Sequence, residues 1–433
     1  MASPSTPTID QPIKSNPSTP SKPQSELDQP DQTNDASPPP VQSPALINIE
    51  EPINRRRLPN SPNAKSIEVT QVQAGQEFIP GVANQHPPVG SKAGQAFKVG
   101  VSEDRNRKCR RTMEDSHSFL YSFGDIEGQG YFAVFDGHAG KHAAEWCGQW
   151  FHEYLLQQLI EAQRTTPVPD LLNSTFHIVD TKLSQLAAED GTHSGCTAVT
   201  AFLRLETNAG EPFGPIGAGV GDKSKSRVES GSPQLNGGEH ETTAMTEALD
   251  GTQRAAEERQ KILKDSEPVP DLLKLTGPSK SLKRTLYTAN VGDARAVLCR
   301  GGQAVRLTYD HKGSDQQEAQ RIMAAGGFVM NNRVNGVLAV TRSLGDSSMK
   351  EFVVGSPYTT ETTLGDEDEF LIIACDGLWD VCEDQEAVNL IRQVKDPQEA
   401  SRVLLDHALS QFSTDNLSVL VVSLKPASFY NLS

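Results

Sequence analysis

Three short apolar runs, each bounded by an aspartate, constrain this chain more than any other feature of its sequence. Tyr131–Phe135 ends in Asp136-Gly137-His138, and Phe370–Cys375 ends in Asp376-Gly377 with Asp380 close behind. Asp415-Asn416 opens the third run, Leu417–Leu424. Runs of this length, rich in Val, Ile, Leu and Phe and flanked by turn residues, read as buried strands. If the last strand runs antiparallel to the other two, all three aspartates converge on one end of a sheet. A further acidic pair, Glu114-Asp115, stands just before the segment Ser116–Tyr121 and is a fourth candidate. Carboxylates gathered in this way repel one another strongly unless cations neutralise them. The donors are all oxygens, with a backbone carbonyl at each glycine, and hard oxygen donors select Mg2+ or Mn2+ over zinc or copper. Two such ions about 4 Å apart lower the pKa of a bridging water and neutralise a phosphoryl group, a hydrolytic device that needs no nucleophilic side chain. One Asp-Gly after an apolar run is usually only a turn, so the weight lies in the ordered set.

The rest of the 433 residues divides by texture. Residues 1–92 are rich in Pro, Ser, Gln, Asp and Asn, cannot bury enough apolar surface to offset their ordering entropy, and read as a disordered tail. Ser-Pro or Thr-Pro pairs at Ser3, Thr6, Thr19, Ser37, Ser43 and Ser61 suit proline-directed kinases, and Arg55-Arg56-Arg57 is a short basic patch. Residues 93–426 read as one catalytic domain, and 427–433 as a short C-terminal tail. Ala143, Cys147, Phe151, Leu155 and Leu159 recur every four residues and predict a helix over 139–160. Helices are also expected over 317–325, 386–394 and 397–412, and strands over 197–205, 286–290, 294–299 and 304–307. Residues 206–282 break the pattern with Gly, Ser and charge, and read as a largely flexible insertion between two strands, with a helix over 247–264. The hexapeptide Pro-Val-Pro-Asp-Leu-Leu occurs at 167–172 and again at 268–273 without matching flanks.

Composition excludes several classes. A formal net charge of −16 argues against general nucleic-acid binding, which needs clustered Lys and Arg. No apolar run approaches the ~20 residues that span a bilayer, and the N-terminus has no apolar segment of a secretory signal. Six cysteines scattered without a CxxC pair argue for a reducing compartment and against a disulfide framework or a thiolate zinc site. The expected location is cytoplasmic, with a nuclear share, and nothing demands more than a monomer.

The motifs from Gly100 to Leu424, outside the insertion, resemble the type 2C family of metal-dependent serine/threonine protein phosphatases, with wording closest to its fungal branch around Arg107–Leu120. They run in order through Arg110-Arg111-Thr112-Met113-Glu114-Asp115, Asp136-Gly137-His138, Ser194-Gly195-Cys196-Thr197, Asn290-Val291-Gly292-Asp293 and Asp310-His311. Arg333–Asp346, Asp376-Gly377-Leu378-Trp379-Asp380 and Asp415-Asn416 complete the series. The resemblance implies an α+β fold, a four-layer α-β-β-α sandwich of two antiparallel sheets flanked by helices. It implies that Asp136 bridges two Mn2+ or Mg2+ ions, that Asp376 and Asp415 complete the first site, and that the Gly137 carbonyl and Glu114 serve the second. Asp115 and Asn416 would hold metal-bound waters, and Asp293 with Asp380 would hold a weaker third ion. Arg110 would grip the substrate phosphate and His138 would act as general acid. Cys196, where the family commonly has serine, reads as a small buried residue. The implied substrates are phosphorylated proteins, among them a stress-activated MAP kinase, which would make the chain a negative regulator of kinase signalling. Two rivals remain: a catalytically dead scaffold of the same fold, and a metal phosphoesterase acting on small molecules.

Overall fold

A computed structural model describes residues 83–88, 91, 94–162, 166–207 and 282–425. Most of the proline-rich tail with its Ser-Pro and Thr-Pro pairs, nearly all of the insertion with its expected helix, and the C-terminal tail lie outside the described residues.

Fifteen strands and six helices follow one another along the described residues. The strands begin with β1 (Lys98–Asp104), β2 (Ser116–Tyr121), β3 (Gly130–Phe135), β4 (Gly137–His138) and β5 (Gly195–Cys196). Next come β6 (Ala198–Glu206), β7 (Lys283–Val291), β8 (Arg295–Arg300), β9 (Gln303–Arg306) and β10 (Val329–Met330). The series closes with β11 (Arg333–Val334), β12 (Leu344–Gly345), β13 (Tyr358–Leu364), β14 (Asp368–Ala374) and β15 (Leu417–Ser423). The helices are α1 (His142–Glu161), α2 (Val168–Asp190), α3 (Gln316–Ala324), α4 (Asp376–Trp379), α5 (Asp384–Ile391) and α6 (Pro397–Ser410).

Two five-stranded sheets carry the fold, ordered β1-β15-β14-β8-β9 and β13-β7-β6-β3-β2, and every neighbouring pair in them is antiparallel. Antiparallel sheets usually alternate apolar and polar residues because one face meets water. Here the central strands are apolar throughout, because both of their faces are covered. Phe132 and Val134 of β3 meet Leu371 and Ile373 of β14 and Leu420 and Val422 of β15 in the core between the sheets. The alternate residues face outward: Tyr131, Ala133 and Phe135 pack under α1 and α2. Ile372 and Ala374, with Val419 and Val421, pack under α5 and α6. The result is the four-layer sandwich.

The structure adds elements beyond those expected from the sequence. The largest is α2, whose Leu172, Phe176, Val179, Leu183 and Ala187 form a buried face. The first Pro-Val-Pro-Asp-Leu-Leu copy is the start of this helix: Pro167 caps it in an extended conformation and Pro169 sits in the first turn, where a missing N–H costs nothing. The second copy lies outside the described residues. Strands β1 and β13 complete the edges of the two sheets.

Residues 309–356, beyond β9, form an outlying segment built on α3, with a small apolar cluster of Ile322, Val334 and Val353. A buried carboxylate supplements that cluster. Glu318 accepts hydrogen bonds from Thr341 Oγ1 at 2.9 Å, Arg342 Nε at 3.0 Å and Arg321 Nη2 at 3.0 Å. Arg321 in turn donates to the Thr341 and Phe352 carbonyls, and Arg342 to that of Ser356.

Candidate metal centre

The antiparallel pairing of β14 with β15 brings the end of one to the start of the other, Ala374 opposite Val419. Asp376 begins α4 just past β14, and Asp415-Asn416 lead into β15. Asp136 follows β3, and Asp293 lies in the turn between β7 and β8. Close approach of backbone explains the glycines beside two of these aspartates. A Cβ on Gly137 would come within 2.2 Å of the Glu114 carbonyl oxygen, and one on Gly377 within 2.1 Å of the Asn416 carbonyl oxygen. The Asp-Gly pairs thus let the loops carrying Glu114 and Asn416 close over the sheet end.

Carboxylate oxygens of Asp136, Asp293 and Asp376 lie within 4.8 Å of one another. Burial, and then the charges of Asp376, Asp115, Asp293 and Asp415, push the Asp136 carboxyl well above the usual carboxylate range. Asp376 is raised likewise, first by burial and then by Asp293, Asp415, Asp380 and Asp115. Burial lifts Asp115 to about 7, although the neighbouring Ser418 hydroxyl and Cys375 thiol oppose it. Two buried oxygens, Asp115 Oδ2 and Asp293 Oδ1, have no hydrogen-bond partner. An all-oxygen cluster with unspent acceptors and mutual repulsion fits a hard divalent cation.

The expected ligands are distributed differently from the simplest ligand set. Asp293, implied only for a weaker ion, belongs to the central trio. Asp415 stands beside that trio, and its carboxylate pairs with Arg110 Nη2, so the expected ligand and the expected phosphate grip are each other's partners. Lys312 extends its ammonium to within 3.4 Å of Asp293 and 3.0 Å of Asp380, the pair implied for a third ion. Glu114 accepts from the Gly140 N–H at 3.0 Å and from Thr112 Oγ1 at 2.7 Å. Asn416 organises the same loop. Its amide donates to the Arg105 and Thr112 carbonyls at 2.9 and 3.1 Å, while its Oδ1 accepts from the Glu114 N–H at 2.9 Å. Both amide hydrogens are spent, so only an Oδ1 lone pair is left for a water.

His138 lies beside a residue to which the sequence assigned no role. Its Nε2 stands 2.7 Å from Asp346 Oδ2, and the Ser343 hydroxyl donates to that carboxylate oxygen as well. Asp346 is nearly buried and takes a left-handed backbone conformation, φ 47°, in the turn after β12. Nothing local in the sequence marks this contact, because 208 positions separate the partners. Only the small sheet β12-β5-β4 brings them together. Cys196 of β5 is fully buried, with its sulfur 3.9 Å from that of Cys147. Next to Asp115 a cleft of about 500 Å³ opens, with Arg105, Arg111 and Lys141 on its wall.

A sandwich of two antiparallel sheets with an acidic cluster at one sheet end is suited to metal-assisted hydrolysis of a phosphate ester. The family model described as Protein phosphatase 2C matches residues 99–223 and 275–417, leaving the middle of the insertion unmatched. The chain is 41% identical over 328 residues to "Protein phosphatase 2C homolog 1" of Saccharomyces cerevisiae, covering 76% of this chain and 94% of that one. It is 38% identical over 344 residues to the protein of the same description from Schizosaccharomyces pombe, covering 79% of this chain and 76% of that one. This chain belongs to the protein phosphatase 2C family, with fungal relatives of high similarity, and is a serine/threonine protein phosphatase. Solved structures share the fold. One titled "Structure of a C.elegans sex determining protein" aligns with a TM-score of 0.55 at 20% identity, over 77% of this chain and 66% of that one. A phosphatase from Toxoplasma gondii aligns at 0.50 and 22% identity, over 76% and 94%.

Proposed function

We propose that this phosphatase hydrolyses phosphoserine and phosphothreonine at a centre of two Mn2+ or Mg2+ ions, and that its substrates include a kinase of a stress-activated MAP kinase cascade. The partly buried cluster of Asp136, Asp293 and Asp376 carries the first part of this reading. Asp136, Asp376, Asp415, Glu114 and the Gly137 carbonyl would hold the ions. When bound, the ions activate a water and screen charge on the phosphoryl oxygens. Asp115 and the free lone pair of Asn416 orient water at the edge of the centre.

Arg110 pairs with Asp415 in this structure, and its side chain is half exposed. Its fork of N–H donors would bind the substrate phosphate through two parallel hydrogen bonds. His138 donates its proton to the departing serine or threonine oxygen. Asp346 holds the imidazole in line and faces its positive charge. Lys312 already supplies one charge to Asp293 and Asp380, so any third ion held there would compete with its ammonium. The neighbouring cleft has a mixed wall, with Arg105, Arg111 and Lys141 set among Glu103, Asp115 and Glu145.

The kinase assignment rests on family analogy, and a cytoplasmic location with a nuclear share on the scattered cysteines and the Arg55-Arg56-Arg57 patch. The testing experiment is phosphate release from a phosphothreonine peptide with Mn2+, Mg2+ or EDTA, for wild type and Asp376→Ala. Release should need the metal and vanish in the variant. Equal release in EDTA, or from folded Asp376→Ala, defeats the reading.

A further inference from the structure

We propose that Cys382, Glu386 and His407 form a second metal site, distinct from the oxygen centre and selective for a borderline-soft cation of the zinc class. This inference does not depend on the reading of the oxygen centre. Cys382 lies in the turn after α4, Glu386 on α5 and His407 on α6, so one turn and two helices each contribute one donor. The thiol sulfur, a carboxylate oxygen and an imidazole nitrogen lie within 4.8 Å of one another. Glu386 Oε1 and His407 Nε2 are 3.3 Å apart. Zinc bonds of about 2.0–2.3 Å place neighbouring tetrahedral donors about 3.5 Å from each other, so one pair already has the right spacing and the thiol closes the rest by a small side-chain movement.

The donors are underused by the protein itself. His407 Nε2 is shielded from water and lacks an aligned hydrogen-bond partner, despite its closeness to Glu386. The Cys382 thiol is buried and, among the described residues, donates only a long hydrogen bond, 3.7 Å to the carbonyl of its own neighbour Glu383. Glu386 has a side chain 48% exposed, which leaves an entry path and a fourth position for water. The helical frame is firm, because Ala387, Val388, Leu404 and Ala408 pack with Leu378 in one apolar cluster.

Donor chemistry separates the two sites. Sulfur and imidazole favour Zn2+ or Co2+, while carboxylates and carbonyls favour Mg2+ or Mn2+. Binding transfers the thiol proton to solvent and leaves thiolate on the metal. An ion there would staple α5 and α6 to the end of α4, the short helix that starts at Asp376.

The test titrates the full-length, metal-stripped protein with Zn2+ in excess Mg2+, which fills the oxygen centre, and repeats the titration with Co2+. Wild type should retain one tight equivalent of Zn2+. With Co2+ it should show the intense visible spectrum of a tetrahedral site and a thiolate charge-transfer band. Cys382→Ser should lose that band and bind Zn2+ about 100-fold more weakly, at the upper end of what losing even an outer-shell partner costs a metal site. His407→Asn should weaken binding comparably, and all three proteins should keep Mg2+-dependent peptide phosphatase activity. Glu386→Gln, on an exposed helix face, serves as the third variant should Cys382→Ser fail to fold. Failure of wild type to retain Zn2+ against Mg2+, or unchanged affinity and Co2+ spectrum in the variants, overturns the proposal. Loss of activity without loss of Zn2+ binding would instead bear on the oxygen centre.

Discussion

Replacing Lys312 with Met tests how the centre balances its own charge. Lys312 stands 3.4 Å from Asp293 and 3.0 Å from Asp380. At an effective dielectric of about 20, charges at such distances attract by roughly 5 kcal/mol before desolvation is counted. The Asp380 side chain is 58% exposed, so its pair is worth at most about 1 kcal/mol. The Asp293 side chain is only 6% exposed, and removing one partner of a buried pair costs about 3–5 kcal/mol. Two effects reduce that figure: the lysine is partly exposed, and Asp293, already raised by burial, can take up a proton. A loss of about 2–3 kcal/mol in EDTA at neutral pH follows, or roughly 5 °C in Tm. Mn2+ should recover most of it, because the freed Asp293 and Asp380 then accept the ion that Lys312 otherwise opposes. Calorimetric melting in EDTA and in Mn2+, together with counting of bound Mn2+, reads both effects. A Lys312→Met protein that melts like wild type in EDTA and binds no additional Mn2+ would refute the reasoning.

Asp346→Asn should lower kcat on a phosphothreonine peptide by about 100-fold, the low end of general-acid contributions. Hydrolysis of p-nitrophenyl phosphate, whose leaving group needs no proton, should change little. Equal losses on the two substrates would assign Asp346 a purely structural role. Burial alone would raise Glu318, but Arg342 and Arg321 hold it down, from 4.5 to about 2. Because the folded value is the lower one, its contribution of roughly 3 kcal/mol is present above pH 4.5 and lost as pH falls towards 2. Glu318→Gln should therefore be less stable than wild type at pH 7, with the gap closing below about pH 3 in urea unfolding. Asp136→Asn should abolish turnover yet raise the Tm of the metal-free protein at pH 7, as measured by calorimetry in EDTA.

What the sequence disclosed follows from where apolar residues are covered. β3, β14 and β15 were legible because helices cover their outer faces, so their sequences are apolar without interruption. α1 was legible from its four-residue repeat, and the aspartates from their places at strand ends. β13 was not, because Tyr358–Leu364 is an edge strand, half exposed and dominated by Thr and Glu. α2 has an apolar repeat as regular as that of α1, but two prolines at its start resemble a turn. The contacts that refine the site were beyond local reading altogether. His138 with Asp346, Arg110 with Asp415, and Lys312 with Asp380 join residues far apart in the chain, and pairing of distant strands and loops decides them.

The electrostatics of the acidic cluster would make any metal ion bound there a structural partner as well as a reagent. Asp136, Asp376 and Asp115 all have folded pKa values above their unfolded ones. For such groups the folded state is favoured while the carboxyls stay protonated and loses that advantage as pH rises through the folded value. Asp115 sets a visible window: the metal-free protein should weaken between about pH 4 and pH 7. Each ion bound by the folded chain alone reverses that penalty by mass action. A neutral amide at position 136 cannot ionise, so it escapes the cost that burial and acidic neighbours impose on the carboxyl and keeps nearly the same shape, which is why the expected sign is stabilisation without metal and loss of stabilisation by metal. The opposite sign, a metal-free Asp136→Asn less stable than wild type, would mean that hydrogen bonding to Asp136 outweighs the repulsion around it. The centre would then be a preorganised polar network, with stability independent of the ions it takes up.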